Sequence, residues 1–255
     1  MLKPRIIPCL LIHDNGLVKT EGFKNPKYIG DPINTVKIFN EKYADEIFII
    51  DIDATVKNLK PNFELIKKLA NECRMPFCYG GGIKSITDAI KIINYGVEKV
   101  ALSSAAISNP SLLKDLADSV GSQSVVCVLD IKKDFFGNYK VMTHNGTKKI
   151  DKDFFLLLND IENFGAGEIV INFIDKDGKM NGYDYDFSKK VRESVNLPLT
   201  ILGGAGNYDH IKKLLSTCGD ISAAAGSCFV FKGPFKAVLI NYPSYIQKKD
   251  LFPIK

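Results

Sequence analysis

A chain of 255 residues with 45% hydrophobic and 25% charged side chains has room for one barrel-sized domain or two small ones, and its composition is that of an ordinary globular protein. The net charge of +5 comes without a basic run, Lys148-Lys149 and Lys248-Lys249 being isolated pairs, which argues against nucleic-acid binding. No stretch reaches the length of a membrane span, and the six cysteines lack any CxxC spacing, so buried reduced thiols are expected and a disulfide or zinc framework is not.

The first apolar run, about seven residues long, is interrupted by Pro8 and has no small-residue cleavage site after it, which reads as a strand of a cytoplasmic protein and not as a signal peptide. Seven further short runs follow. In chain order the eight strand candidates are Arg5–Ile12, Glu46–Asp53, Pro76–Gly81, Lys99–Ser104, Ser124–Asp130, Glu168–Asp175, Leu199–Gly204 and Ile221–Gly226. Most are apolar throughout, as parallel strands buried on both faces are. Helical patterns lie between them. Asp31-Pro32 and Asn109-Pro110 each offer an N-cap followed by proline at the first helical position. Eight alternations in this length predict a single (β/α)8 TIM barrel over residues 1–255.

A shift of 122 residues aligns Glu46-Ile47 with Glu168-Ile169, Ile52-Asp53 with Ile174-Asp175, Pro76 with Pro198, and Gly81-Gly82 with Gly203-Gly204. It also places Ser104 opposite Gly226. The pattern predicts two fused half-barrels, approximately 1–122 and 123–255. Chemistry in this fold sits at the C-terminal strand ends. There the glycines at 80–82 and 203–206, with Ser104, Gly226 and Ser227, form two symmetric pairs of turns. One such turn would be only a tight bend; two symmetric pairs predict two phosphate seats on opposite sides of the mouth, made by exposed backbone N–H groups. No metal or cofactor is expected.

RIIPCL, GDP, YGGGI, NPSLL, GSQSVV, GAGEI, DKDG, GYD and LGGAG occur in that order with short gaps. This resembles the cyclase subunit of imidazole glycerol phosphate synthase, HisF, over nearly the whole chain. The resemblance implies a glutaminase partner (HisH-like) docked at the N-terminal face, whose ammonia crosses the barrel to a phosphate-bearing substrate at the mouth. It implies phosphate contacts at Gly82 and Ser104 on one side, and at Asp177, Gly178, Gly204, Gly226 and Ser227 on the other. It implies a ring of four charges gating ammonia entry at Arg5, Glu46, Lys99 and Glu168. It also implies two catalytic aspartates, at the ends of strands one and five. The second is Asp130; the first position is Leu11, which cannot transfer a proton. His13 and Asp14 are near in sequence, but two residues of strand move a side chain by ~7 Å. Asp53 either compensates in part or is structural.

IPCLLI, NPKYIGDPIN, DIDAT, GTKK and GSCFVFKGPFKAVLINYPS are similar to a HisF-like branch linked to acetamidino sugars of bacterial surface polysaccharides. That similarity implies an ATP-dependent sugar amidotransferase as a further partner and delivery of ammonia in place of ring closure. Two alternatives remain: a working histidine-pathway cyclase with another acid, and a non-catalytic scaffold that activates a glutaminase.

Overall fold

The computed structural model describes residues 4–252; residues 1–3 and 253–255 of the expected domain lie outside the described residues. Eight strands form the wall: β1 Ile6–His13, β2 Ile47–Asp51, β3 Phe77–Gly80, β4 Lys99–Leu102, β5 Val125–Lys133, β6 Glu168–Phe173, β7 Leu199–Leu202 and β8 Ser222–Ala225. All neighbouring pairs are parallel, and the β5–β6 ladder closes the sheet on itself. The longer helices after the strands are α1 Pro32–Glu41, α2 Phe63–Glu72, α3 Ile86–Asn94, α4 Ser111–Val120, α5 Phe154–Asn163, α6 Tyr185–Ser194, α7 Tyr208–Cys218 and α8 Tyr245–Leu251, and short helices at Ser104–Ser108 and Ser227–Val230 directly follow β4 and β8. The protein is a single (β/α)8 barrel.

The strands are apolar on both faces because each face has a separate core. On β1, Ile6, Leu10 and Ile12 belong to the large core under the helices. Ile7 and Cys9 belong to a smaller inner cluster with Phe48, Cys78, Ala101, Val126, Val128, Val170, Leu202 and Ala224. Side chains alternate with period two along a strand, so one parity faces the helices and the other fills the barrel. All six cysteines are free thiols.

Asp31 caps α1 as expected, accepting the Asn34 backbone N–H at 2.8 Å with Pro32 beside it. Asn109 does not cap α4. Its side chain instead accepts the Ser111 hydroxyl at 2.7 Å, and the helix starts one residue later than the sequence suggests. Pro110 already holds a helical backbone there, with φ −62° and ψ −27°. Residues 122 apart make matching hydrogen bonds: Ile47 N donates to Pro76 O at 2.8 Å, and Ile169 N to Pro198 O at 2.9 Å.

Three antiparallel hairpins lie outside the expected pattern: Gly16–Glu21 with Lys24–Gly30, Tyr139–Thr143 with Lys148–Lys149, and Phe231–Lys232 with Ala237–Val238. The first extends β1 and the second extends β5, so both project over the C-terminal face.

Candidate functional site

The N-terminal face is closed by four side chains. Glu46 directly precedes β2, Lys99 and Glu168 begin β4 and β6, and Arg5 directly precedes β1. Lys99 Nζ lies 2.9 Å from Glu46 Oε2 and 2.9 Å from Glu168 Oε2. Arg5 Nη2 lies 2.7 Å from Glu168 Oε1, and Arg5 Nη1 bonds Glu46. Each cation therefore touches both anions, and the ring is neutral. Both glutamates are 4% exposed, and Thr200 adds a hydroxyl donated to Glu168 at 2.6 Å. Burial works against every charge in the ring. For Glu168 the pull of Arg5 and Lys99 outweighs burial and holds the carboxyl below its usual range; for Lys99 the two glutamates outweigh it and raise the ammonium above its own.

Above the ring the inward parity is apolar through the inner cluster, up to Leu11 and Ile50. Polarity returns at the mouth, where a cavity of about 780 Å³ opens. Asp130, Asn172, Ser103 and Leu11 line it. Asn172 Nδ2 donates to Asp130 Oδ1 at 2.8 Å. Burial pushes the Asp130 carboxyl up to about 7, beyond what that hydrogen bond can offset. A leucine therefore stands where the resemblance implies a second catalytic carboxyl. Asp53 does not fill the gap: it is absent from the cavity wall, and its carboxylate takes His13 Nδ1 at 2.8 Å, Asp14 N at 2.9 Å and Lys57 Nζ at 3.0 Å. His13, Asp14 and Asp53 are close enough together to act as metal ligands, yet Lys57 already bonds both carboxylates. The acid that does reach the cavity from β2 is Asp51, raised by burial, with Oδ1 accepting the N–H groups of Asp53 and Ala54 at 2.9 and 3.0 Å.

Glycine is required behind these turns. Gly81 has φ +119°, and a Cβ there would meet Asp51 O at 2.4 Å; Gly203 has φ +103°, with Phe173 O at 2.8 Å from such a Cβ. Of the expected phosphate contacts, Gly82 and Ser104 line the large cavity. Asp177, Gly178, Gly204, Gly226 and Ser227 line a second cavity of about 30 Å³, into which Lys19 projects. Leu11, Phe23 and Asn172 line both.

The sequence profile of the histidine biosynthesis protein family matches residues 5–236. That match covers the ring, the barrel interior and both mouth cavities. The chain belongs to the HisF family. It is 54% identical over 254 residues to a protein of Leptospira borgpetersenii that carries the provisional name imidazole glycerol phosphate synthase subunit HisF, covering 99% of this chain and 100% of that protein. A Vibrio vulnificus protein with the provisional name imidazole glycerol phosphate synthase subunit hisF3 is 54% identical over 98% of this chain and 96% of its own length. The imidazole glycerol phosphate synthase subunit HisF of Streptococcus mutans is 36% identical over 90% of this chain and 91% of its own.

Lys19, Asn172, Ser103 and Asp51 are mouth residues of this HisF-family barrel that sequence reasoning missed. Two of them were accessible by parity: Asn172 stands two and four residues beyond Val170 and Glu168, and Ser103 two and four beyond Ala101 and Lys99. Lys19 gave no such signal, since its hairpin was not foreseen. No helix among the described residues is long and apolar enough to cross a membrane.

Proposed function

We propose that this HisF-family barrel is the ammonia-conducting subunit of a glutamine-dependent amidotransferase, and that its nitrogen is delivered to an acceptor other than the histidine-pathway bisphosphate. A glutaminase (HisH-like) subunit sits at the N-terminal face and releases ammonia at the ring of Arg5, Glu46, Lys99 and Glu168. Neutral ammonia passes an apolar interior that a charged ammonium would enter only at a cost of several kcal/mol. The observation that carries the reading is the contrast between the two ends. The entrance ring is complete, with each cation bonded to both anions, whereas the mouth presents Leu11 and Asp130 from strands on opposite sides of one cavity.

The acceptor that fits the branch motifs is an acetamido group on a nucleotide-linked sugar of a surface polysaccharide, converted to an acetamidino group. There the ammonia nitrogen replaces the amide oxygen, which leaves as phosphate on the phosphoryl group that ATP supplies. An amide carbonyl is a poor electrophile, so its activation falls to an ATP-dependent sugar amidotransferase acting alongside the barrel. The glycine seat at Gly82 and Ser104 binds a phosphate-bearing small molecule.

Reconstitution with the glutaminase and the amidotransferase tests the gate. In Lys99→Ala, glutamate should still form while product amidation falls, and added ammonium should restore part of the loss. An unchanged ratio of glutamate to amidated product in both Lys99→Ala and Glu168→Ala would remove the gate and leave a scaffold that only activates the glutaminase.

A further inference from the structure

We infer that the tips of the three hairpins at the C-terminal face form a docking surface for a second enzyme with an acidic surface, the one that holds the acceptor of the ammonia. This rests on the ammonia-delivery reading above and concerns the face of the barrel opposite the ring.

Phe135, Phe235 and Phe136 are 97%, 94% and 85% exposed, more than any other large apolar side chain among the described residues. A single exposed apolar side chain is ordinary, but these three share one face. Phe135 and Phe136 lie in the turn between β5 and the strand Tyr139–Thr143. Asp134 builds that turn: its Oδ1 accepts the Phe136 and Asn138 N–H groups at 3.0 and 2.9 Å, and its carbonyl accepts Gly137 N at 3.0 Å. The two rings meet edge to face, with centroids 5.7 Å apart. Phe235 lies in the turn of the hairpin after β8, which is tied to the hairpin after β1. Lys236 Nζ bonds Glu21, and Lys27 Nζ donates to Lys236 O at 3.3 Å and stands 5.1 Å from the Phe231 ring centroid. Both tips are held in shape before anything binds, which lowers the ordering cost of association.

The charges select the occupant. Lys24, Lys132 and Lys232 are exposed on these hairpins, and their side chains make no ion pair or hydrogen bond among the described residues. The acids of the same segments are committed, Glu21 to Lys236 and Asp134 to its own turn. Aromatic anchors with a basic rim suit an acidic protein surface, whereas a second copy of this chain would set lysines against lysines. The first two hairpins also line the mouth, through Thr20 and Phe23 and through Thr143, His144 and Asn145. A protein seated on the tips therefore covers the opening of the cavity of about 780 Å³. Ammonia leaving an uncovered mouth at neutral pH takes a proton from water and loses the lone pair it needs to attack carbon. A cover that carries the acceptor keeps it neutral. A bilayer would also attract lysines and phenylalanines, but it would set hydrocarbon over the exit in place of an acceptor.

Association of the barrel–glutaminase pair with the ATP-dependent sugar amidotransferase, followed by biolayer interferometry, tests this. Phe135→Ser combined with Phe136→Ser should weaken it about tenfold, and so should Phe235→Ser. Lys132→Glu combined with Lys232→Glu should weaken it about tenfold and flatten its dependence on salt. Activation of the glutaminase, on the far face, should change by less than about twofold in every variant, which also establishes that each is folded. Glutamine-dependent amidation should fall with the affinity, while amidation from added ammonium persists. No association with the unaltered chain, equal association in all variants, or equal loss of glutamine-dependent and ammonium-dependent amidation would overturn the inference. So would tip-dependent self-association in sedimentation, or tip-dependent binding to vesicles of about one-third phosphatidylserine in place of the enzyme. A tip-dependent complex in which Lys99→Ala and Glu168→Ala leave the ratio of glutamate to amidated product unchanged would sink the gate and keep the docking surface. Neutral tips with a working gate would do the reverse.

Discussion

Leu11 and Asp130 share a cavity but only one can handle a proton. A positioned acid or base commonly contributes ~10²–10⁴-fold, so turnover of the histidine-pathway bisphosphate with ammonium should be very low. Leu11→Asp should raise it substantially; turnover of the unaltered chain comparable with that of an ordinary cyclase would refute the argument. Asp130 itself makes a stability prediction. Burial raises its carboxyl from 3.8 to about 7, so folding favours the protonated form. That contribution is complete below the unfolded value and is lost as pH rises through about 7. Three pH units correspond to roughly 4 kcal/mol at most. Asp130→Asn should therefore be more stable than the unaltered chain at pH 8, by up to a few kcal/mol, with the gap narrowing as pH falls toward 4. Urea unfolding across that range would detect it, and a gap that does not change with pH would mean Asp130 titrates normally.

At the scale of elements, the mouth is shaped by hairpins as well as by barrel strands. The hairpin after β5 crosses to the opposite side of the cavity, where Asn145 Nδ2 donates to Ile52 O at 2.8 Å. A hydrogen bond of this kind contributes about 0.5–1.5 kcal/mol. Asn145→Ala should accelerate amide exchange across residues 139–149 by about 3–10-fold while leaving the barrel strands protected. Uniform acceleration over the whole chain would show that the contact supports the fold, not just the cover.

For the molecule as a whole, the ring joins four strands that are far apart in sequence, with 163 residues between Arg5 and Glu168. Removing one partner from a buried ion pair typically costs 3–5 kcal/mol. Glu168→Ala should approach that loss in urea unfolding, because Arg5 and Lys99 then share one anion. Lys99→Ala combined with Glu168→Ala should lose less than the two single changes added together. Additive losses would mean that the four side chains do not act as a unit.

The sequence alone determined the barrel. Apolar runs, their spacing and the 122-residue repeat record which residues must be buried, and eight such runs have few ways to bury both faces. The family resemblance marked all four ring residues and Asp130. The same resemblance singled out position 11, a leucine where the family carries an aspartate. The tertiary structure alone decided what those residues meet. Asp53, beyond the end of β2, is drawn to His13 and Lys57, while Asp51, the last residue of the strand, reaches the cavity. Lys19 runs past Gly226 to bond Asp177, a contact that its hairpin, with little periodicity of its own, does not announce. Local sequence carries burial and parity; the pairing of charges across a barrel depends on distances that exist only once the sheet has closed.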